Sequence, residues 1–188
     1  MRRVIASTYT TVDGFIDNPH EWSLAYNDPA AMRYALDLTL GADALILGRV
    51  TYEGMAQAWP AMGGNPYADH VNAMHKYVVA SQPVDTGAWN PTTVIAGAEL
   101  LTAVKTLKER DGTDILIWGN GRLTDALATA GLLDEYKIWT YPVLKGSGEP
   151  LFRAGSRTGL QHVETTTFGS GVVVSTYRVT TAGTGATT

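Results

Sequence analysis

Apolar residues in this chain come in short unbroken runs, at 44–47, 77–80 and 115–118, each closed by small or polar residues. Runs this short suit strands buried on both faces of a sheet, whereas a one-sided strand would alternate. Strands are therefore predicted at 3–9, 43–47, 77–80, 93–96, 114–118 and 135–143, followed by an antiparallel pair of 172–179 with the stretch around 160–167. Helical spacing fills the gaps. Asp28-Pro29 opens a helix, with Met32, Leu36, Leu38 and Leu40 on or near its inner side and Gly41 at its end. In that opening, Asp supplies an N-cap oxygen and Pro lacks only an orphan N–H. Further helices are predicted at 51–58, at 122–130, and around Leu100, Leu101, Val104 and Leu107 with Gly112 as the stop. Strands alternating with helices, then strands alone, predict an α/β protein: a three-layer αβα arrangement with a mixed, mostly parallel sheet and a C-terminal antiparallel hairpin.

Two glycines punctuate this pattern in the same way. Gly48 lies in Leu47-Gly48-Arg49-Val50-Thr51-Tyr52-Glu53 and Gly119 in Trp118-Gly119-Asn120-Gly121-Arg122-Leu123, each between a strand and a helix. A helix start presents unpaired N–H groups and partial positive charge, which suits a phosphate. An arginine follows each glycine cluster and could fork onto phosphate oxygens. The competing reading is that glycine simply permits a tight turn. The second segment is not a Rossmann fingerprint, because Thr124 stands where its third glycine belongs.

With 188 residues, 45% apolar and 17% charged, the chain has the size of one compact domain, expected over residues 1–180 with a flexible polar tail at 181–188. A net charge of -4 without clustered Lys or Arg gives no footprint for nucleic acid. The absence of cysteine excludes disulfides and thiolate chemistry. Ser7, Thr8, Thr10, Thr11 and Asp13 interrupt any early apolar segment, and no run approaches the roughly 20 residues of a membrane span, so a cytoplasmic protein is expected. His20, His70, His75 and His162 lack metal-ligand spacing, and no metal is expected. Phe15, Tyr9, Trp22 and Tyr26 are candidates either for core packing or for a substrate pocket.

In order along the chain, Asp13-Gly14, the 43–53 segment with Trp59-Pro60, Lys76-Tyr77-Val78-Val79 with Ser81, Trp118-Gly119-Asn120-Gly121, Leu133-Asp134-Glu135, and Pro142-Val143-Leu144 with Gly146-Ser147-Gly148 form one set. That set resembles the dihydrofolate reductase superfamily over residues 3–179. It is most similar to small bacterial proteins related to the reductase domain of riboflavin biosynthesis. The resemblance implies an NADPH-dependent reductase acting on a small heterocyclic or carbonyl substrate, and a homodimer. It also implies a cofactor site. Gly48, Arg49 and Thr51 would meet phosphate at the first helix start, and Ser81 and Gln82 the 2′-phosphate. Gly119, Asn120, Gly121, Arg122, Leu123 and Thr124 would surround the pyrophosphate. Thr8 and Tyr9 would lie under the nicotinamide, with Ile16 and Asp17 beside it. For the proton donor the candidates are water, Asp28 and Tyr141, and Asp28 also reads as a plain helix cap. The arginine that folate reductases use for their substrate is replaced near His75, which disfavours true folate reduction. Two alternatives stay open: reduction of the ribosylamino-pyrimidine of riboflavin synthesis, and a non-catalytic NADP-binding or ligand-sensing protein.

Overall fold

The computed structural model describes residues 1–180, and the tail expected to be flexible at 181–188 lies outside the described residues. Eight strands form a mixed, mostly parallel sheet: β1 (Val4–Thr11), β2 (Ala42–Gly48), β3 (His75–Ala80), β4 (Thr92–Ala96), β5 (Asp114–Trp118), β6 (Glu135–Tyr141), β7 (Gly159–Thr167) and β8 (Val173–Thr180). The helices are α1 (Pro19–Trp22), α2 (Pro29–Leu40), α3 (Arg49–Ala56), α4 (Pro66–Ala73), α5 (Leu100–Glu109) and α6 (Arg122–Thr129). The chain divides into two compact units, one of residues 1–4 and 35–118 and one of 5–34 and 119 onward.

The first unit holds β4, β3, β2 and β5 in that order, all parallel. Its centre is the apolar runs: Leu45, Ile46, Leu47, Val78, Ile115, Leu116 and Ile117 are at most 1% exposed. Strand β3 begins at His75, two residues before the predicted start, because Lys76 is turned inward and wholly buried. Lys76 Nζ donates to Asn72 O (2.5 Å) and Asn90 O (3.1 Å) and sits 4.7 Å from the Trp89 ring centre. With no carboxylate among those partners, burial pushes its pKa down to about 8.

The second unit pairs β1 with β6 in parallel, then β6 with β8 and β8 with β7 antiparallel. The expected C-terminal hairpin is therefore present, with a register shift between His162 and Glu164. Two carboxylates fix the loops after β1 and β6. Asp13 accepts Lys145 N (3.0 Å) and Gly146 N (2.7 Å), and Asp17 accepts Glu149 N (2.8 Å) and Lys145 Nζ (2.6 Å). Gly148 is obligatory in this arrangement, since its φ is +150° and an added Cβ would collide with Asp17.

Two expectations are corrected, and one helix that the sequence pattern did not show is added. The inner face of α2 carries Ala31 and Thr39, with Leu36 and Leu38 half-buried as expected near it, while Met32 (63%) and Leu40 (46%) are exposed; the cap fixed where the helix starts but not how it is rotated. Helix α3 starts at Arg49 rather than Thr51, because Gly48 is extended and acts as its N-cap. The segment 66–73, without a strong apolar period, forms α4 through an Asn65 side-chain cap onto Ala68 N (2.9 Å) and Pro66 in its first turn.

Candidate functional site

In the first unit, parallel pairing brings the C-terminal ends of β2, β3 and β4 to one edge, with Gly48 in register with Val79 and Ala80 with Ala96. Ligands of open α/β sheets bind at such ends. Gly48 leads directly into α3, whose first turn has no side-chain cap and no acidic residue. Its φ of -70° and ψ of 156° are open to any residue, and a Cβ added there would meet nothing within 4 Å. The turn therefore does not need glycine, and the bare backbone leaves room for a group to approach the helix amides. Arg49 and Thr51 are partly exposed beside it. Arg49 Nε donates to Glu53 Oε1 at 2.7 Å, one turn along α3.

Ser81 and Gln82 follow β3 and are exposed. A Cβ built on Gly97 would lie 3.3 Å from Ser81 Oγ, so Gly97 makes space for that hydroxyl. Gly97, after β4 and before α5, repeats the strand, glycine, helix order of Gly48. That signal was present in the sequence, but only strand adjacency relates it to Ser81.

In the second unit, Gly119 (φ +91°) and Gly121 (φ +153°) shape the turn into α6, and Gly119 N donates to Ser7 O at 3.2 Å. A Cβ on Gly121 would meet nothing within 4 Å. The fold itself uses two of the predicted ligands here. Thr124 Oγ1 is buried, accepts Gly121 N (2.9 Å) and faces Asn120 Oδ1, while Asn120 Nδ2 donates to Leu151 O. Asn120 and Thr124 thus build the loop, leaving Gly121, Arg122 and Leu123 accessible, with Arg122 exposed at the first position of α6. Helix α6 has no side-chain cap on its first turn beyond the bond Thr124 makes back to Gly121.

Thr8 is buried on β1, and Tyr9 is partly exposed next to it. Ile16 N donates to Glu149 O (2.9 Å), and the Asp17 carboxylate is taken by Lys145 and Glu149, so these two hold the loop. Asp28 is a cap. Its Oδ1 accepts Ala30 N (2.8 Å) and Ala31 N (3.2 Å), and its Oδ2 accepts Ser170 N (3.0 Å). Those backbone bonds, led by Ser170, lower its pKa, so at neutral pH it is an anion with no proton to give. The Tyr141 ring is 4.9 Å from that of Tyr9, and burial raises the pKa of both phenols. Trp22 (5.4 Å) and Tyr26 (6.1 Å) meet Tyr141 edge-on, a packing contact that fits both the core and the pocket reading of these residues. Phe15 is placed apart, its backbone bridging to Pro150. Sequence reasoning missed Trp139 on β6, Tyr34 on α2 and Phe168 in the turn between β7 and β8, which extend this cluster. His75 opens β3 and bonds Thr93 Oγ1 (2.8 Å), at the strand end opposite Ser81.

Profile comparison matches residues 2–174 to the RibD C-terminal domain. The chain belongs to that family. The Bacillus subtilis protein YyaP is 28% identical over 187 residues, 94% of each chain. Among solved structures, a putative riboflavin biosynthesis protein from Shewanella sp. PV-4 superposes with a TM-score of 0.69 at 18% identity, covering 95% of this chain and 99% of that one. A dihydrofolate reductase from Enterococcus faecalis, complexed with NADP(H), gives 0.61 at 15% identity over 94% and 96%. The dihydrofolate-reductase-like fold and the relation to riboflavin reductase domains are as the sequence resemblance implied, and RibD membership supports a reductase-like role. No helix among the described residues is long and apolar enough to cross a membrane.

Proposed function

We propose that the protein is an NADPH-dependent reductase that delivers a hydride to a small heterocyclic or carbonyl compound. The observation that carries the reading is Gly48: a glycine that its backbone conformation does not demand, open where a side chain would be, at the uncapped start of α3. Bare amides and a helix dipole are what a phosphate takes. Arg49 supplies the cation and Ser81 the hydroxyl that favour the extra phosphate of NADPH over NADH. In the second unit, the turn at Gly119, Gly121, Arg122 and Leu123 is proposed as a pyrophosphate contact, with Asn120 and Thr124 as its supports. Thr8, Tyr9 and Ile16 are proposed as neighbours of the nicotinamide, and Asp17 as the anchor of Ile16. The cofactor, when bound, supplies the hydride. The known E. faecalis relative in fold was crystallised with NADP(H), which supports this choice of coenzyme.

Titration of wild type and Arg49→Ala with NADPH and NADH tests it. Loss of one charge-assisted contact weakens NADPH by roughly 10- to 150-fold and leaves NADH much less affected. An equal, negligible effect on both would remove Arg49 from the account. NADPH binding without turnover on pterins, pyrimidines, quinones or aldehydes would instead favour the non-catalytic reading.

A further inference from the structure

We propose that the cleft between α3 and the loop after β3 binds a small organic cation, an alkylammonium or a guanidinium, and that its occupancy is coupled to the phosphate-facing start of α3. The coupling rests on the reductase reading; the cation site does not. A cavity of about 360 Å³ opens there, a size that suits a small ligand. Tyr52, Glu53, Ala56 and Gln57 line it from α3 and the residue that follows, and Asp85 and Ala88 from the 3-10 turn Thr86–Ala88 and its cap. The fold holds these walls in place. The Tyr52 hydroxyl donates to Asp85 O (3.2 Å), and its buried ring stacks on Trp89 with 6.0 Å between centres. Trp89 is fixed in turn by its Nε1, which donates to Asn72 Oδ1 (2.8 Å).

The charges on this lining are all negative. Glu53 and Asp85 are its charged side chains, and the last turn of α3 carries no basic residue, so the partial negative charge of the end carbonyls adds to theirs. The fold uses one oxygen of each carboxylate. Glu53 Oε1 accepts Arg49 Nε (2.7 Å), and Asp85 Oδ1 accepts Gly87 N (2.9 Å). Glu53 Oε2 and Asp85 Oδ2 are left to accept from a ligand, whereas an anion would meet repulsion from both. The donor set also argues against a metal ion. Among the described residues no group of three or more His, Asp or Glu is placed to hold one, and hard cations gather many oxygens. The methyl groups of Ala56 and Ala88 suit instead the carbon stem of an amine, whose charged head the carboxylates pair.

Glu53 joins this cavity to the other end of the helix. Its partner Arg49 lies one turn back, at the first position of α3, where the phosphate of NADPH is proposed to bind. A cation beside Glu53 competes with the guanidinium for the carboxylate and frees Arg49 for phosphate. The two ligands then bind cooperatively, and by linkage each strengthens the other by the same factor. The Arg49 and Glu53 side chains are 41% and 42% exposed, so solvent screens the pair and the factor is small.

Calorimetric titration of the full chain with agmatine, at low ionic strength and without NADPH, makes the test. Agmatine carries an ammonium and a guanidinium on one alkyl stem, and uncharged 1,4-butanediol is the control. Saturable agmatine binding is expected, with none of butanediol. Asp85→Asn, which keeps an oxygen for Gly87 N, and Glu53→Gln should each weaken it by about two- to fivefold. Ala88→Leu, which fills the cavity, should weaken it by about tenfold or more. Absence of saturable binding, equal affinity for butanediol, or variants that bind as wild type would overturn the site, as would displacement of agmatine by equimolar Mg2+. NADPH is then titrated with and without saturating agmatine, and it should bind about two- to fivefold tighter with it in wild type but not in Arg49→Ala. NADPH affinity that agmatine leaves unchanged, or raises equally in Arg49→Ala, would overturn the coupling. Agmatine bound with NADPH unbound would sink the cofactor assignment alone.

Discussion

Gly48 and Gly148 show how one residue type can serve a ligand or serve the fold. At Gly148 a side chain would strike Asp17, and φ is positive, so Gly148→Ala should lower the melting temperature. At Gly48 neither holds. Gly48→Ala should leave stability unchanged or raise it by about 0.4–1 kcal/mol through the unfolded chain, and it should still weaken NADPH because the methyl group stands over the α3 amides. Glu53 provides a finer probe. Its carboxylate competes with phosphate for Arg49, so Glu53→Gln should tighten NADPH, and weaker binding would show that Glu53 instead positions the guanidinium. Lys76 makes a prediction of a different kind. Its pKa is near 8 in the fold and about 10.4 in an unfolded chain. Between those values the unfolded state binds more protons, so this group makes stability rise with pH until it is neutral in both states. Urea unfolding of wild type from neutral pH to about pH 9 should show the rise, by roughly 1–2 kcal/mol, and Lys76→Met should abolish it.

Among the elements, strands were legible because buried parallel strands write themselves as continuous apolar runs, and β2 and β5 differ from their predicted bounds by a residue at most. The junction glycines were legible for the same reason. What the chain pattern did not show was tertiary: the rotation of α2, the inward turn of Lys76, the space that Gly97 leaves for Ser81, and the convergence of Tyr9, Tyr34 and Phe168 on Trp139. Each depends on which strands become neighbours, and sequence spacing is silent on that. The loop carboxylates also act at this scale. Asp13 is held at about 2, led by its hydrogen bond with Thr11, and Asp17 is lowered first by Lys145. Folded values below the ordinary carboxylate pKa mean that their stabilising effect is complete above about pH 4 and is lost as pH falls through the folded pKa. Melting temperatures recorded down to about pH 2 should fall steeply in wild type. In Asp13→Asn the curve should start lower and fall less.

For the molecule as a whole, family membership and fold leave three functional classes to separate: a reductase, a binder without chemistry, and a protein with no nucleotide ligand. Any ligand selective for the native state stabilises it by mass action, by about 2.7 kcal/mol at a hundredfold excess over Kd. At this chain length that is a melting shift of roughly 5–10 °C. Such a shift with NADPH retains the first two classes, and turnover divides them. The most direct measurement of the central claim is calorimetric titration of NADPH into wild type, Gly48→Ala and Arg122→Ala at matched thermal stability. The account predicts saturable binding to wild type and a loss of about tenfold or more in each variant. Wild-type protein that does not bind NADPH, or variants that bind it as tightly as wild type, would contradict it.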